Sequence, residues 1–288
     1  MPLIKLIKLI RYRFFLLAGI LPYFLGQAIA FGLNKSLNWN YFWWGFVGIF
    51  LVLVAVELFN EYFDDQYGGD RIFSQVKVEI PKYFFPCGIL ALGLAFTVGL
   101  YLALQTGWPV LLFSFLGFLG AYFYVGPPLK WAYRGMGELI IALSYGPLMV
   151  LGSYYIQAER IVFVPFFVSL ICGLSMFSLA VLNEVPDYYQ DMLVGKRNLV
   201  VKLGKQKAIV LLKFCLAGMF LLLILGVVFK TIPLLAITAV VTLPWILKSV
   251  KRIEKDYDNP KAFLLAVNTV VVTHIVIAVS LGIGFLNG

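Results

Sequence analysis

Two short stretches carry half of the chain's 14 Asp and Glu residues. In "NEYFDDQYGGD" (60–70), Asn60 and Asp64 are four apart and so share one face of a helix. Gly68 and Gly69 then break that helix, and Asp70 can fold back toward the same point. In "NEVPDYYQDMLVGKRNLVVKLG", Asn183, Asp187 and Asp191 follow at i, i+4 and i+8, the spacing of a single acidic stripe. Pro186 lies inside that stripe, where it kinks or ends the helix. Mg²⁺ is usually held by one or two carboxylates together with waters and the phosphate oxygens of a substrate. Two such clusters facing one another suit two Mg²⁺ ions gripping a diphosphate. Basic residues stand where the remaining phosphate oxygens would need them. Arg71 and Lys77 follow the first cluster, Lys196 and Arg197 follow the second, and Lys130 and Arg134 lie between them in "YVGPPLKWAYRGMGE".

The elements that must position these groups are membrane helices. Of the 288 residues, 62% are hydrophobic and 13% charged, with a mean hydropathy of +0.93, against roughly 45–50% and 25% in soluble domains. A bilayer-spanning helix needs about 20 apolar residues. Apolar runs fall at about 14–33, 41–59, 83–104, 109–126, 137–157, 161–182, 207–229, 232–249 and 262–286. The expectation is an all-α, polytopic membrane bundle of about nine transmembrane helices forming one domain over 1–288. Its connections alternate between brief turns and long charged loops. Of the 23 Lys and Arg, only Lys35, Arg160 and Lys230 fall on the side of the brief turns. By the positive-inside rule, the N-terminus and the acidic clusters are cytoplasmic and the C-terminus is outside, in a cell (inner) membrane. That asymmetry accounts for the net charge of +9 without nucleic acid as a partner. The N-terminal apolar run reads as a retained first helix, since "GQAIAFG" follows too long an apolar stretch for a leader.

Other titratable residues read as structural. Cys87, Cys172 and Cys215 lie far apart in apolar runs, a pattern of neither disulfides nor zinc. His274, the one histidine, reads as a packing or hydrogen-bonding residue between helices. Glu57 reads as a salt-bridge or helix-end residue. Glu254, Asp256 and Asp258 belong to a mixed-charge loop.

The motifs taken together resemble the UbiA superfamily of intramembrane prenyltransferases over nearly the whole chain. Asn60-x3-Asp64-x5-Asp70 is similar to the first acidic motif of the branch that prenylates 1,4-dihydroxy-2-naphthoate for menaquinone. "NEVPDYYQDMLVGKRNLVVKLG", "YRGMGE" and "YGPLMVLGSYYIQ" look like the second motif and middle region of that branch, and "RYRFFLLAGILPYFLG" like its first helix, with Arg11 at the family's usual Arg. Glu184 and Pro186 depart from the branch, which has Asn and Arg there. The resemblance implies a central cavity open to the cytoplasm and sideways to lipid, and Mg²⁺-dependent transfer of a polyprenyl group from its diphosphate to an aromatic acceptor. Asp64, Asp70, Asp187 and Asp191 then take metal roles, with Asn60 and Asn183 as oxygen ligands or orienters, and Lys130 contacts diphosphate. An allylic cation would be shielded by aromatic faces, for which Tyr62, Tyr67, Tyr122 and Tyr124 are candidates, and Arg11 lies near the substrate pocket. Other acceptors within the superfamily are 4-hydroxybenzoate, another naphthoate or a glycerol lipid. A cation-coupled transporter would place its acids near the bilayer midplane, and a CDP-alcohol phosphatidyltransferase needs an Asp-Gly-x-x-Ala-Arg signature that the sequence lacks.

Overall fold

A computed structural model describes residues 19–67 and 80–288. Among the described residues the regular structure is helical throughout: α1 (Leu21–Asn34), α2 (Trp39–Tyr67), α3 (Phe84–Thr106), α4 (Pro109–Phe123), α5 (Gly137–Ala158), α6 (Phe163–Glu184), the short α7 (Tyr188–Leu193) and α8 (Leu199–Leu203), α9 (Lys205–Val228), α10 (Leu234–Lys255) and α11 (Pro260–Asn287). Seven of these are long and apolar enough to cross a bilayer. The two other expected spans coincide with α1 and with α4, a shorter apolar helix. The chain is thus a multi-pass membrane protein.

Lipid offers no partner for a backbone amide, so helices that satisfy their own hydrogen bonds are the economical way across. Apolar tails are as greasy as leucine, so the helices are held together by close packing. Two glycines show how close. A Cβ on Gly26 of α1 would lie 1.9 Å from Ser153 Oγ and 2.5 Å from the Val150 carbonyl oxygen of α5. One on Gly146 of α5 would lie 2.6 Å from the Ser169 carbonyl oxygen and 2.7 Å from the Gly173 Cα of α6. Gly146 belongs to a π-turn, Ser144–Leu148, that contains Pro147. Proline has no N–H for the regular ladder, and the widened turn absorbs that loss.

Polar contacts tie the two ends of the bundle separately. On one end Gln157 accepts from the Asn38 amide, 2.7 Å, and Arg160 donates to Asn34, 3.1 Å. On the other, Lys213 pairs with Glu254, 2.6 Å, and Lys205 pairs with Asp258. That second end also carries the C-terminus of α2, the 124–136 loop and α7–α8. His274 is 1% exposed and its Nδ1 lies 3.1 Å from Ser175 Oγ, joining α11 to α6 as expected.

Candidate active site

The acidic face of α2 forms because the helix does not stop at the membrane boundary. It continues through "NEYFDDQY" to Tyr67, so Asn60 and Asp64 stand one turn apart on the wall of a cavity. The 3₁₀ turn Trp131–Arg134 folds over this helix end. Tyr133 donates from its hydroxyl to Asp64 Oδ1, 2.9 Å. Burial, and then the neighbouring Asp64 carboxylate, push the Tyr133 phenol well above its usual range, which keeps it a donor. Lys130 holds a left-handed backbone, φ 47°, and sets its Nζ 3.5 Å from the centre of the Tyr67 ring. A cation over a ring face is attracted by the ring quadrupole, so the loop is pinned to α2 at two points.

The second cluster is not the single stripe its spacing predicts. The helix α6 ends at Glu184, Pro186 lies in the intervening turn, and α7 restarts at Tyr188. A proline cannot donate back into the preceding turn, so the i+8 continuation is lost. Asn183, Glu184 and Asp187 face the cavity. Asp191 turns inward, 5% exposed, where Asn198 Nδ2 donates to its Oδ2 at 2.6 Å and Lys196 Nζ lies 3.4 Å away. Lys196 also pairs with Glu184 Oε2, 3.0 Å, and Asn198 donates a further hydrogen bond to Glu184. Burial pushes the Asp191 carboxyl above its usual range, with Lys196 opposing and the Glu184 charge adding to it. Burial alone would lower the Lys196 ammonium, but Glu184 and Asp191 outweigh it and hold Lys196 firmly charged. Lys196 thereby presents one cation to the cavity from a wall of acids.

The cavity itself has a volume of about 820 Å³. Its lining follows α2 from Gly45 to Asp64, about 28 Å at ~1.5 Å per residue. The mouth is polar, with Asn60, Asp64, Tyr133, Asp187 and Lys196, and the far end is small and apolar, with Gly48, Leu102, Val110, Gly152 and Ile156. Of the aromatic candidates, Tyr124 lines the cavity. Tyr62, Tyr67 and Tyr122 pack instead around the smaller core of Phe59, Phe63 and Ala121. Arg134 and Arg197 are exposed; Arg134 donates to the Pro128 carbonyl, 3.0 Å, and the Arg197 amide to that of Tyr133, 3.1 Å. Arg11, Asp70, Arg71 and Lys77 lie outside the described residues.

Whether these groups fit Mg²⁺ is tested by Asn60, whose Oδ1 is buried, lines the cavity and has no hydrogen-bond partner among the described residues. A buried carbonyl oxygen without a donor is costly, and a cation satisfies it. Among the described residues no three acidic, His or Cys side chains enclose an ion unaided. One or two carboxylates completed by phosphate oxygens and water is the ordinary arrangement for Mg²⁺, so the donor set fits.

Three participants escape a reading by motif. Tyr133 sits unmarked between the singled-out Lys130 and Arg134. Asn198 carries a signal, since an Asn just before the apolar "LVVKL" is a helix N-cap, and its Oδ1 accepts from the Val201 amide at 2.8 Å. Glu57 is no helix-end residue: it lies ten residues before the end of α2, and it lines the cavity.

A family model described as the UbiA prenyltransferase family matches residues 19–270. The chain is 25% identical over 254 residues to the 2-carboxy-1,4-naphthoquinone phytyltransferase of Synechocystis sp., covering 84% of this chain and 80% of that protein. It is 28% identical over 206 residues to the 1,4-dihydroxy-2-naphthoate octaprenyltransferase of Mycobacterium tuberculosis, covering 69% and 70%. The Bacillus subtilis 1,4-dihydroxy-2-naphthoate octaprenyltransferase matches at 28% over 168 residues, 56% of this chain and 54% of that one. Among solved structures, a UbiA homologue from Archaeoglobus fulgidus bound to DMAPP and Mg²⁺ superposes with a TM-score of 0.63 at 16% identity, over 98% of this chain and 99% of that chain. A digeranylgeranylglyceryl phosphate synthase structure superposes at 0.70 with 16% identity, over 96% and 99%. At these identities the structural likeness speaks to fold.

Proposed function

The chain belongs to the UbiA prenyltransferase family and is an enzyme of prenyl transfer; on that premise we propose that it moves a polyprenyl group from its diphosphate to 1,4-dihydroxy-2-naphthoate, in the membrane, for menaquinone synthesis. The observation that carries this reading is one cavity with two ends of opposite chemistry. Acids from α2 and from the α6–α7 turn meet the Lys196 ammonium at the mouth, above a long apolar chamber. A prenyl diphosphate has the same polarity along its length. The naphthoate is favoured over 4-hydroxybenzoate or a glycerol lipid by the naphthoate and naphthoquinone prenyltransferases among the relatives.

Asn60, Asp64 and Asp187, joined by Asn183 and Asp70, would hold Mg²⁺, two ions in our reading, with Asp191 acting from behind through Lys196. Bound there, Mg²⁺ supplies the positive charge that makes diphosphate a better leaving group. Lys196, held charged by Glu184 and Asp191, adds a fixed cation at the same place, and a preorganised charge in a water-poor site costs no reorganisation during the reaction. Lys130 joins diphosphate contact from the loop pinned to Tyr67. Tyr124 offers a ring face to the allylic carbon as it becomes positive. The apolar chamber keeps water from that carbon, so the aromatic acceptor is its nucleophile. The strong asymmetry of Lys and Arg supports a cytoplasmic mouth.

The test is prenyl transfer by the purified protein in detergent with radiolabelled geranylgeranyl diphosphate, Mg²⁺ and either naphthoate or 4-hydroxybenzoate. Product is expected from the naphthoate, abolished by EDTA and reduced at least ~100-fold in Asp64→Ala, the loss typical of a catalytic charge. Transfer to 4-hydroxybenzoate alone would move the acceptor to the other branch.

A further inference from the structure

Glu57 is the deepest acid on the cavity wall among the described residues. It stands on the same face of α2 as Asn60 and Asp64, three and seven residues earlier, hence about 10 Å below Asp64. Its side chain is 5% exposed and reaches the lumen inside a membrane-spanning helix. An ionisable side chain at such a depth is costly and marks function by default. A second element points to the same level. The π-turn of α5 puts Ser144 and Tyr145 on the wall of the same cavity. Single π-turns inside helices recur at functional sites because they re-aim a side chain. Asn268 of α11 lines the same cavity. The acids on the wall thus stand in two tiers: one at the mouth, and Glu57 about two helical turns deeper.

The two tiers match the two halves of the reaction. With diphosphate at the mouth, the carbon it leaves lies one bridging oxygen deeper, between Asn60 and Glu57. A metal role for Glu57 is disfavoured by its distance below Asp64. An aromatic acceptor attacking that carbon needs a partner for its hydroxyl at this depth, and the acid on the wall here is Glu57.

Resting on the proposed transfer to a hydroxylated aromatic, we infer that Glu57 is a catalytic residue of the acceptor half: its carboxylate receives the acceptor's hydroxyl hydrogen bond and then its proton. The ring carbon uses its π electrons to bond the allylic carbon, whose bond to oxygen breaks with the pair leaving on diphosphate. The hydroxyl proton passes to Glu57 and the ring oxygen becomes a carbonyl. The attacked carbon then loses carbon dioxide from its carboxylate, or a proton that the departing diphosphate takes up; the freed electron pair restores the aromatic ring, and Glu57 returns its proton to the oxygen.

The experiment compares wild type with Glu57→Gln and Glu57→Asp, using geranylgeranyl diphosphate, Mg²⁺ and a series of 1,4-dihydroxynaphthoates made progressively more acidic by ring fluorination. Wild-type turnover of the parent naphthoate is the entry condition, and its failure would sink the function reading before Glu57 is tested. In Glu57→Gln, kcat is expected to fall about 100-fold, the lower range for a lost general base. The KM for prenyl diphosphate and the half-saturating Mg²⁺ stay within about twofold, as expected for uniform binding of a group Glu57 does not touch. The deficit shrinks as the acceptor becomes more acidic, because a weaker base then suffices, and a residue that only packs would give a constant ratio. Glu57→Asp retains a carboxylate and keeps more activity than Glu57→Gln, and it serves alone if the amide variant does not fold. Unchanged kcat, a deficit independent of acceptor acidity, or a raised Mg²⁺ requirement would each overturn the assignment.

Discussion

Asn198 shows how one side chain organises a charged site. Its Oδ1 caps α8 while its Nδ2 donates to both Asp191 and Glu184. Replacing it by serine keeps a capping oxygen and removes the amide donor. Replacing it by alanine removes both, so Asn198→Ala is expected to be less stable than Asn198→Ser by about 1 kcal/mol, the usual worth of an N-cap, as read by denaturant unfolding in detergent. Both variants leave Asp191 and Glu184 without that donor, and Lys196 less firmly placed. Lys196 is the cation proposed to meet the diphosphate, and a hydrogen bond to a charged group is worth about 1.5–3 kcal/mol, so the KM for prenyl diphosphate should rise about 10-fold in both. An effect confined to stability would mean that the cluster only holds the fold. The sequence made Asp187 and Asp191 look equivalent, both being acids at helical spacing. The difference between them arises from Asn198 and Lys196, which approach across a turn that no periodicity encodes.

At the scale of the element, hydropathy made the long helices plain, because a span with no water must be apolar over its whole length. It stopped α2 too soon, since the polar "NEYFDDQY" reads as a loop by hydropathy although its Asn60–Asp64 spacing is helical. It gave no sign of the π-turn in α5, whose cause, Pro147, equally permits a simple kink. That turn is positioned by Gly146, where a Cβ would meet the Gly173 Cα and the Ser169 carbonyl oxygen, both backbone atoms unable to swing away. Gly146→Ala is therefore expected to push α5 from α6 and to destabilise by roughly 1–3 kcal/mol, as overpacking does, with activity falling because Tyr145 is the adjacent residue. Gly117→Ala on α4, where nothing lies within 4 Å of the added carbon, serves as the matched control and should unfold like wild type. Thermal unfolding of the two variants side by side separates crowding at one interface from a general intolerance of methyl groups.

For the whole molecule the governing quantity is the length of the cavity, because helices of the same bundle line both its charged mouth and its apolar end. The expected orientation of the ends rests on Lys and Arg counts, whereas depth depends on which small residues point inward, and small residues are scattered through every span. Gly152 lines the far end, and a Cβ there would meet Phe113 at 3.7 Å, an ordinary contact. It lies fifteen residues into α5, about 22 Å from the start of that helix. Gly117 lines the same space six residues from the end of α4, about 9 Å in, and is open around its Cβ. If the prenyl chain extends down this cavity, a ring added at either depth truncates it differently. Gly152→Phe should leave kcat/KM for a short prenyl diphosphate within about twofold of wild type and lower it for a long one, because burying each lost methylene is worth about 0.8 kcal/mol. Gly117→Phe should lower both, since it obstructs the chain before the first isoprene units have passed. Steady-state transfer with geranyl and with longer diphosphates reads the difference directly. Equal losses for short and long chains in Gly152→Phe would mean that the tail leaves the bundle sideways above that level, and that the far end holds no substrate.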